Sequence, residues 1–312
     1  MSELVSRAEL DEELAVLRAT ISDPRAGLFG PGTMVWEVAR EAVIFLGAGR
    51  AALLQLAHPY VGSAIAQHSI TMASPQARFQ RTFRRIFRMV FGDLDEAMRS
   101  AVDVYRVHAH VRGPIPEAAG PFPRGHTYDA RDREASVWVL ATLWDTSLWL
   151  FDRVVRPLSR AERARYYEES RRFARLFGLE RSLPPSYDAF EAYVARTLSS
   201  DVLTVTRAAA EIGRHIMRPD NVFGRVLRND FGLFTAHLLP ERLARGFGLD
   251  RGGAAGLRRF ERILELARSA VPRLPPRLRY LPAYLDAERR LRGDSRRDRL
   301  GELMTRLYLG RP

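Results

Sequence analysis

Apolar residues recur at three- and four-residue intervals along almost the whole chain, a spacing that lines one side of an α-helix and gives a strand no consistent face. The pattern predicts helices near 3–21, 35–56, 59–68, 75–91, 94–112, 133–156, 160–177, 186–198, 201–217, 240–247, 252–270, 281–292 and 296–308. Strong breaks separate them, among them Gly30-Pro31-Gly32, His58-Pro59, Gly92-Asp93, Gly113-Pro114, Arg218-Pro219 and the run from Pro272 to Pro276. No convincing pair of alternating strands and no repeat of solenoid length is visible, and residues 113–129 form the longest irregular piece of the first half. The fold class expected is all-α, a single large helical domain. Residues 1–29 read as an N-terminal helical extension, 30–260 as the main helical domain and 261–312 as a C-terminal helical section packed on it. With 46% hydrophobic residues, 312 positions suffice for a sizeable core.

The side-chain inventory closes off several chemistries. There is no cysteine, which removes disulfides, thiol nucleophiles and thiolate-held metals. There is no lysine, so all 49 basic residues are arginine, and a phosphate-loop lysine or a Schiff base is excluded. The formal net charge of +12 invites nucleic-acid or anionic-membrane partners. The arginines, however, are spread over most helices, commonly beside Asp or Glu, and no recognition module is present. No nucleic-acid partner is therefore expected, whereas peripheral contact with anionic lipid, or pairing with the carboxylates of a bound cofactor, fits the same charge. The first residues, MSELVSRAELDEELAVL, are acidic and amphipathic rather than a basic stub before an apolar core, so the expected location is cytoplasmic. The two most apolar stretches, Ala42–Ala57 and Val137–Phe151, are interrupted by Arg50 and Asp145 and fall short of the ~20 residues a bilayer requires. Asp145, set among Trp138, Thr142 and Trp149, is expected to meet an arginine, because a buried carboxylate is costly unless paired.

Seven histidines are the only nitrogen ligands for a metal. On a helix over 94–112, Leu94, Met98, Ala101, Tyr105, His108 and Arg112 share one largely apolar face, while Arg99, Asp103, Arg106 and His110 share the opposite, charged one. His108 then points inward and His110 toward water. His108 reads either as a satisfied core histidine or as an imidazole ligand to haem iron. Arg112, one turn on, reads either as a helix-end cap or as a clamp on a cofactor carboxylate. On 75–91, Phe79, Phe83, Ile86 and Val90 form the expected buried stripe, with Arg78, Thr82, Arg85 and Met89 along its flank. Arg78 and Thr82 present a guanidinium and a hydroxyl to one small region, which suits an anion or a bound oxygen species, or else they edge a solvated basic helix. His58 and His68 are structural hydrogen-bonders or pocket-lining residues, and His126, His215 and His237 have no neighbours that single them out.

The ordered set QLAHP…HS, ARFQRT, VHAHVRG and Tyr128-Asp129-Ala130-Arg131-Asp132 through Trp138-Val139 resembles the family of the latex-clearing rubber oxygenases and the fungal MpaB oxygenase, over residues 30 to 260 or so. The resemblance implies a globin-like helical core holding one b-type haem, with His108 as the proximal iron ligand. Arg78 and Thr82 would be the catalytic pair beside the haem, and Arg112 the arginine that follows the ligand. His58 and His68 would be further cofactor-side residues, and Phe79, Phe83, Trp138 and Tyr105 pocket walls. Arg81 stands where some rubber oxygenases carry a distal lysine, and arginine is not an iron ligand. The implied function is a haem b-dependent oxygenase acting with O₂ on an apolar substrate, unsaturated, terpenoid or lipid-like ones included. The alternative is a non-catalytic helical haem- or lipid-binding protein.

Overall fold

A computed structural model describes the backbone of residues 3–68, 75–217 and 222–294, and the side chains of 3–68, 82–217 and 230–294. The expected helix near 296–308 lies outside the described residues, as do the side chains of Arg78, Phe79 and Arg81. Helix α1 (Arg7–Thr20) starts at a capping box in which Ser6 and Glu9 satisfy each other's backbone N–H groups. After α2 (Met34–Ala39) come a 3₁₀ segment (Ala42–Gly47), α3 (Ala48–Leu56), α4 (Pro59–His68), α5 (Pro75–Phe91) and α6 (Leu94–His108). A two-stranded antiparallel sheet, β1 (Arg112–Pro114) with β2 (Thr127–Asp129), leads into α7 (Arg133–Leu150). Then follow α8 (Arg160–Arg175), α9 (Tyr187–Ser199), α10 (Arg207–Ile216), α11 (Val222–Leu238), α12 (Glu241–Gly246), α13 (Gly253–Ala270), α14 (Pro276–Arg279) and α15 (Pro282–Arg292). The fold is all-α, with the small sheet as its one extended feature among the described residues.

Helix α7 is the axis of the core. Ten of its residues are buried, from Ala135 to Leu150, and they face α2, α3, α8 and α9 at different heights. An apolar surface all round is what a helix enclosed by others requires. Polar bonds fix its register against α3. The Trp138 indole N–H donates to the Leu54 carbonyl at 3.0 Å, Gln55 donates to Thr142 Oγ1 at 3.0 Å, and the Arg50 guanidinium reaches Asp145 Oδ2 at 2.6 Å. The same guanidinium bonds Thr146 Oγ1 and, through Nε, the Leu238 carbonyl at the end of α11 (3.0 Å). Asp145 thus has the arginine partner its burial demanded.

The structure departs from the sequence expectation at several places, among them the helix expected over 201–217, which starts only at Arg207 with Thr206 as its cap. The stretch 35–56 is not one helix: it breaks after Ala39 and resumes at Ala48. Glu41 sits in the break, fully buried, and both its carboxylate oxygens accept from Arg279 at 2.8 Å. An unpaired buried carboxylate would be untenable, so the chain opens to let a distant arginine in. Helix α6 ends at His108 and not at 112. Two tight turns follow, with the His110 and Val111 N–H groups donating to the Val107 and His108 carbonyls, and the backbone is extended from Arg112. Pro114 keeps the residue before it out of the helical region, while the turns at His110 and Val111 end the helix further back. Arg112 therefore does not continue the His108 face; it pairs in register with Asp129. The sheet itself was unexpected, because three-residue strands are too short to show alternation. Helix α11 was not foreseen either, its sequence being broken up by Gly224, Asn229-Asp230 and Gly232.

Helices α5 and α6 form a hairpin across Gly92-Asp93. Asp93 caps α6 in a second capping box with Glu96. A side chain at position 92 would run into the Arg88 carbonyl, and one at Gly27 into the Gly92 carbonyl, so two glycines let the loop after α1 press on the turn. Gly27 also needs the φ of 78° that other residues resist. Of the stripe expected on α5, Val90 is buried while Phe83 and Ile86 are half-buried; the buried side includes Phe87, Phe91 and Met89 instead, the last of which was expected on the flank. Among the described residues no single helix is long and apolar enough to cross a membrane. The apolar pair Ala42–Leu56 and Pro59–His68 is bent by 95° at the break between them.

Arg50 is only 8% exposed while Asp145 is 32% exposed. Asp145→Asn strips the buried cation of its counter-charge and should destabilise the fold by about 2 kcal/mol, the cost of a broken buried pair reduced for the partial hydration of the acid. Urea unfolding at pH 7 reads this directly; an unchanged midpoint would mean that Arg50 draws its stability from the carbonyl and hydroxyl alone.

Candidate functional site

The candidate residues collect at the open end of the α5/α6 hairpin. With 1.5 Å of rise per residue, both helices run roughly 25 Å away from the Gly92-Asp93 turn. His108, the last residue of α6, therefore stands level with the first two turns of α5, which carry positions 78 and 82. His108 is half-buried, whereas His110 and Thr82 are exposed. The face of α6 that carries His108 is buried at Leu94, Ala97 and Ala101 and becomes more accessible at Tyr105 and His108, so the helix emerges from the core at this end.

The small sheet closes the other side of the His108 turn. Asp129 Oδ1 accepts from the Arg131 backbone N–H at 2.8 Å and from Arg131 Nε at 3.0 Å, and Oδ2 accepts from Nη2 at 2.8 Å. Burial opposes the Asp129 charge, but these bonds and the nearby guanidinium of Arg112 hold its carboxyl below the ordinary range. Arg131 is raised in turn, chiefly by its bonds to Asp129 and further by the Tyr105 hydroxyl, which lies one helical turn before His108. A fork of two arginines about one carboxylate thus flanks the end of α6. Sequence reasoning saw Asp129 and Arg131 only as part of a motif. The signal available was their i, i+2 spacing, which lets an aspartate accept from the backbone two residues on.

Helix α4 supports the sheet from beneath. Gln67 donates to the Pro114 carbonyl at 2.8 Å and accepts from Tyr128 at 3.0 Å. His68 Nε2–H donates to the Arg112 carbonyl at 3.0 Å, so the structure brings His68 to the strand that follows His108, with Nε2 engaged there. His58 lies at the far end of α4. It is 5% exposed, packs against Tyr60 and Phe122, and its Nδ1 accepts the Tyr60 N–H at 3.3 Å. That is the geometry of a helix N-cap ahead of a first-turn proline. His126 shares a 2.7 Å hydrogen bond with the Tyr60 hydroxyl. His215 and His237 donate to the carbonyls of Glu211 and Arg251.

A separate cavity of about 110 Å³ opens between the second half of α5, the 3₁₀ segment and helices α3, α7 and α8. Phe83 and Phe87 line it from α5, and none of its lining residues is Thr82, His108 or Arg112.

No cluster of three or more His, Asp or Glu able to hold a bare metal ion occurs among the described residues. A haem needs less from a protein: one imidazole, cations for its carboxylates, and apolar walls. Among the described side chains, His108 offers a half-buried imidazole and Arg112 an exposed guanidinium of the kinds such a group calls for.

The family model described as "ER-bound oxygenase mpaB/B'/Rubber oxygenase, catalytic domain" matches residues 36–269, well over half of the chain. Searches of curated proteins and of solved structures return no significant match.

Burial lowers the His58 pKa from 6.5 to about 4, so the folded protein keeps the ring neutral where the unfolded chain protonates it. Stability is therefore complete above pH 6.5 and falls by roughly 3 kcal/mol as the pH drops to about 4. His58→Asn keeps an N-cap acceptor without a titrating ring. The variant should show a shallower loss of stability between pH 6.5 and 4, measured by denaturant unfolding across that range; an unaltered slope would assign the acid sensitivity elsewhere.

Proposed function

The chain belongs to the mpaB/rubber oxygenase catalytic-domain family, and on that premise we propose that it is a haem b-dependent oxygenase acting with O₂ on an apolar substrate. The observation that carries this reading beyond family membership is the half-buried imidazole of His108 at the mouth of the α5/α6 hairpin, with an arginine–carboxylate fork on one side and the Arg78–Thr82 turn on the other.

His108 would hold the iron through an imidazole nitrogen. It is the last residue of α6, and two tight turns lead from it to the strand that carries Arg112. Arg112 and Arg78 would hold the carboxylates of the porphyrin, for which a planar guanidinium is suited by its paired donors. The Asp129–Arg131 pair lies beside the strand position of Arg112, and Asp129 feels its charge. When bound, haem supplies the redox chemistry that activates dioxygen. Thr82 Oγ–H is an exposed donor on α5 that can hydrogen-bond an oxygen ligand without offering a competing nucleophile, and the Arg78 guanidinium would act with it. Arg81 stands where some rubber oxygenases carry a distal lysine, and a permanently protonated guanidinium would not ligate iron.

The absorbance spectrum of the purified, haem-reconstituted protein tests this reading. His108→Ala should abolish the Soret band and His110→Ala should leave it, while His108→Gly should regain it with added imidazole. Loss of the band in His110→Ala alone would move the ligand to the other face of the helix. A protein that keeps the band yet consumes no oxygen with any apolar substrate would be a haem carrier.

A further inference from the structure

The cavity on the far flank of α5 has a composition that selects its occupant. No charged side chain lines it, although 28% of the chain is Asp, Glu or Arg. Its walls are aromatic and aliphatic, with Phe45, Phe83, Phe87 and Trp144 around the space. Polar groups gather at one end, on α7 and α8: the hydroxyls of Ser147, Tyr166 and Ser170. Ser170 donates to the Tyr166 carbonyl at 2.7 Å, one turn back on its own helix. The Tyr166 phenol is wholly buried; that burial raises its pKa, opposed by the hydroxyls of Ser147 and Ser170 that face it. The fourth polar residue on the wall, Thr146, is occupied by Arg50. The volume of about 110 Å³ compares with the engineered cavities of ~150 Å³ that admit benzene.

We infer that this cavity is a binding site for a small neutral amphiphile, an alcohol or phenol with an apolar body of about six to eight carbon atoms whose hydroxyl joins Tyr166 and Ser147. Neutrality follows from the lining. A carboxylate or phosphate would enter a space with no cation to pair with it, and stripping such a group of water without compensation is prohibitive. A pure hydrocarbon would fill the volume but add no bond to the hydroxyl cluster of Tyr166, Ser147 and Ser170. The guanidinium of Arg50, which bonds the lining residue Thr146, is already paired with Asp145. The inference is independent of the oxygenase reading, since it concerns binding and needs no cofactor.

Isothermal titration calorimetry of the full chain with hexan-1-ol, 4-methylphenol and sodium hexanoate at pH 7 tests it. Both hydroxyl compounds should bind, and hexanoate should bind at least tenfold more weakly than hexanol. Tyr166→Phe, which keeps the ring, should weaken the alcohols about fivefold and leave binding of toluene unchanged. Ala51→Leu, at a lining residue of α3, should fill the space and remove binding of all four compounds while thermal unfolding shows the chain still folded. Should that variant unfold, Ser147→Ala gives the same reading on the polar end by a loss for alcohols and none for toluene. Equal binding of hexanol and hexanoate, or alcohol binding untouched in both Tyr166→Phe and Ser147→Ala, would overturn the assignment.

Discussion

The guanidinium of Arg50 joins three helices that sequence alone would leave unrelated. Buried in α3, it contacts a carboxylate and a hydroxyl on α7 and a terminal carbonyl on α11. Only a side chain with several donors in a fixed plane can do this at one point. With Trp138 and Gln55 holding the same two helices further along, α3 and α7 are locked in register, and the cavity, the hairpin and the helices that cover α7 take their positions from that lock.

The lack of lysine gives this arrangement a wider meaning. Arg242 donates to the carbonyls of Leu203 (2.6 Å), Leu198 (2.8 Å) and Ser200 (2.5 Å), Arg251 to that of Ala236 (3.1 Å) and Arg290 to that of Phe91 (2.6 Å). These are helix ends and loops, where backbone acceptors lack partners. A large part of the positive charge is therefore spent inside the protein, cross-linking backbone or neutralising buried acids such as Glu41 and Glu13, rather than displayed as one basic surface.

Periodicity made the helices legible where they are long and one-sided: α4 and α5 begin and end where the spacing placed them, and the acid at 145 announced its need for an arginine. What it did not reveal was set by single contacts between distant residues. The break at Glu41 depends on Arg279, and nothing in the residues around 41 foretells that pairing. The early end of α6 was signalled by Pro114, but the restriction reaches only one residue back, and the two intervening turns were invisible. Arg112 was consequently assigned to a helical face it does not occupy, while Asp129 and Arg131, which bond each other two residues apart, went unremarked as a pair. His58 was left between two roles, and its packing against Tyr60 and Phe122 gives it a structural one.

The hairpin of α5 and α6 also has a mechanical side. Its two arms pivot on a glycine with no room for a methyl group, and the loop after α1 bears on that pivot through a second glycine. The imidazole and the hydroxyl-bearing turn sit at the tips, some 20 Å away by helical rise. A bulkier residue at 27 or 92 would therefore have to be absorbed by a change in how the two helices leave the turn, and such a change of angle is felt most at their distant ends, without touching the imidazole or the hydroxyl directly.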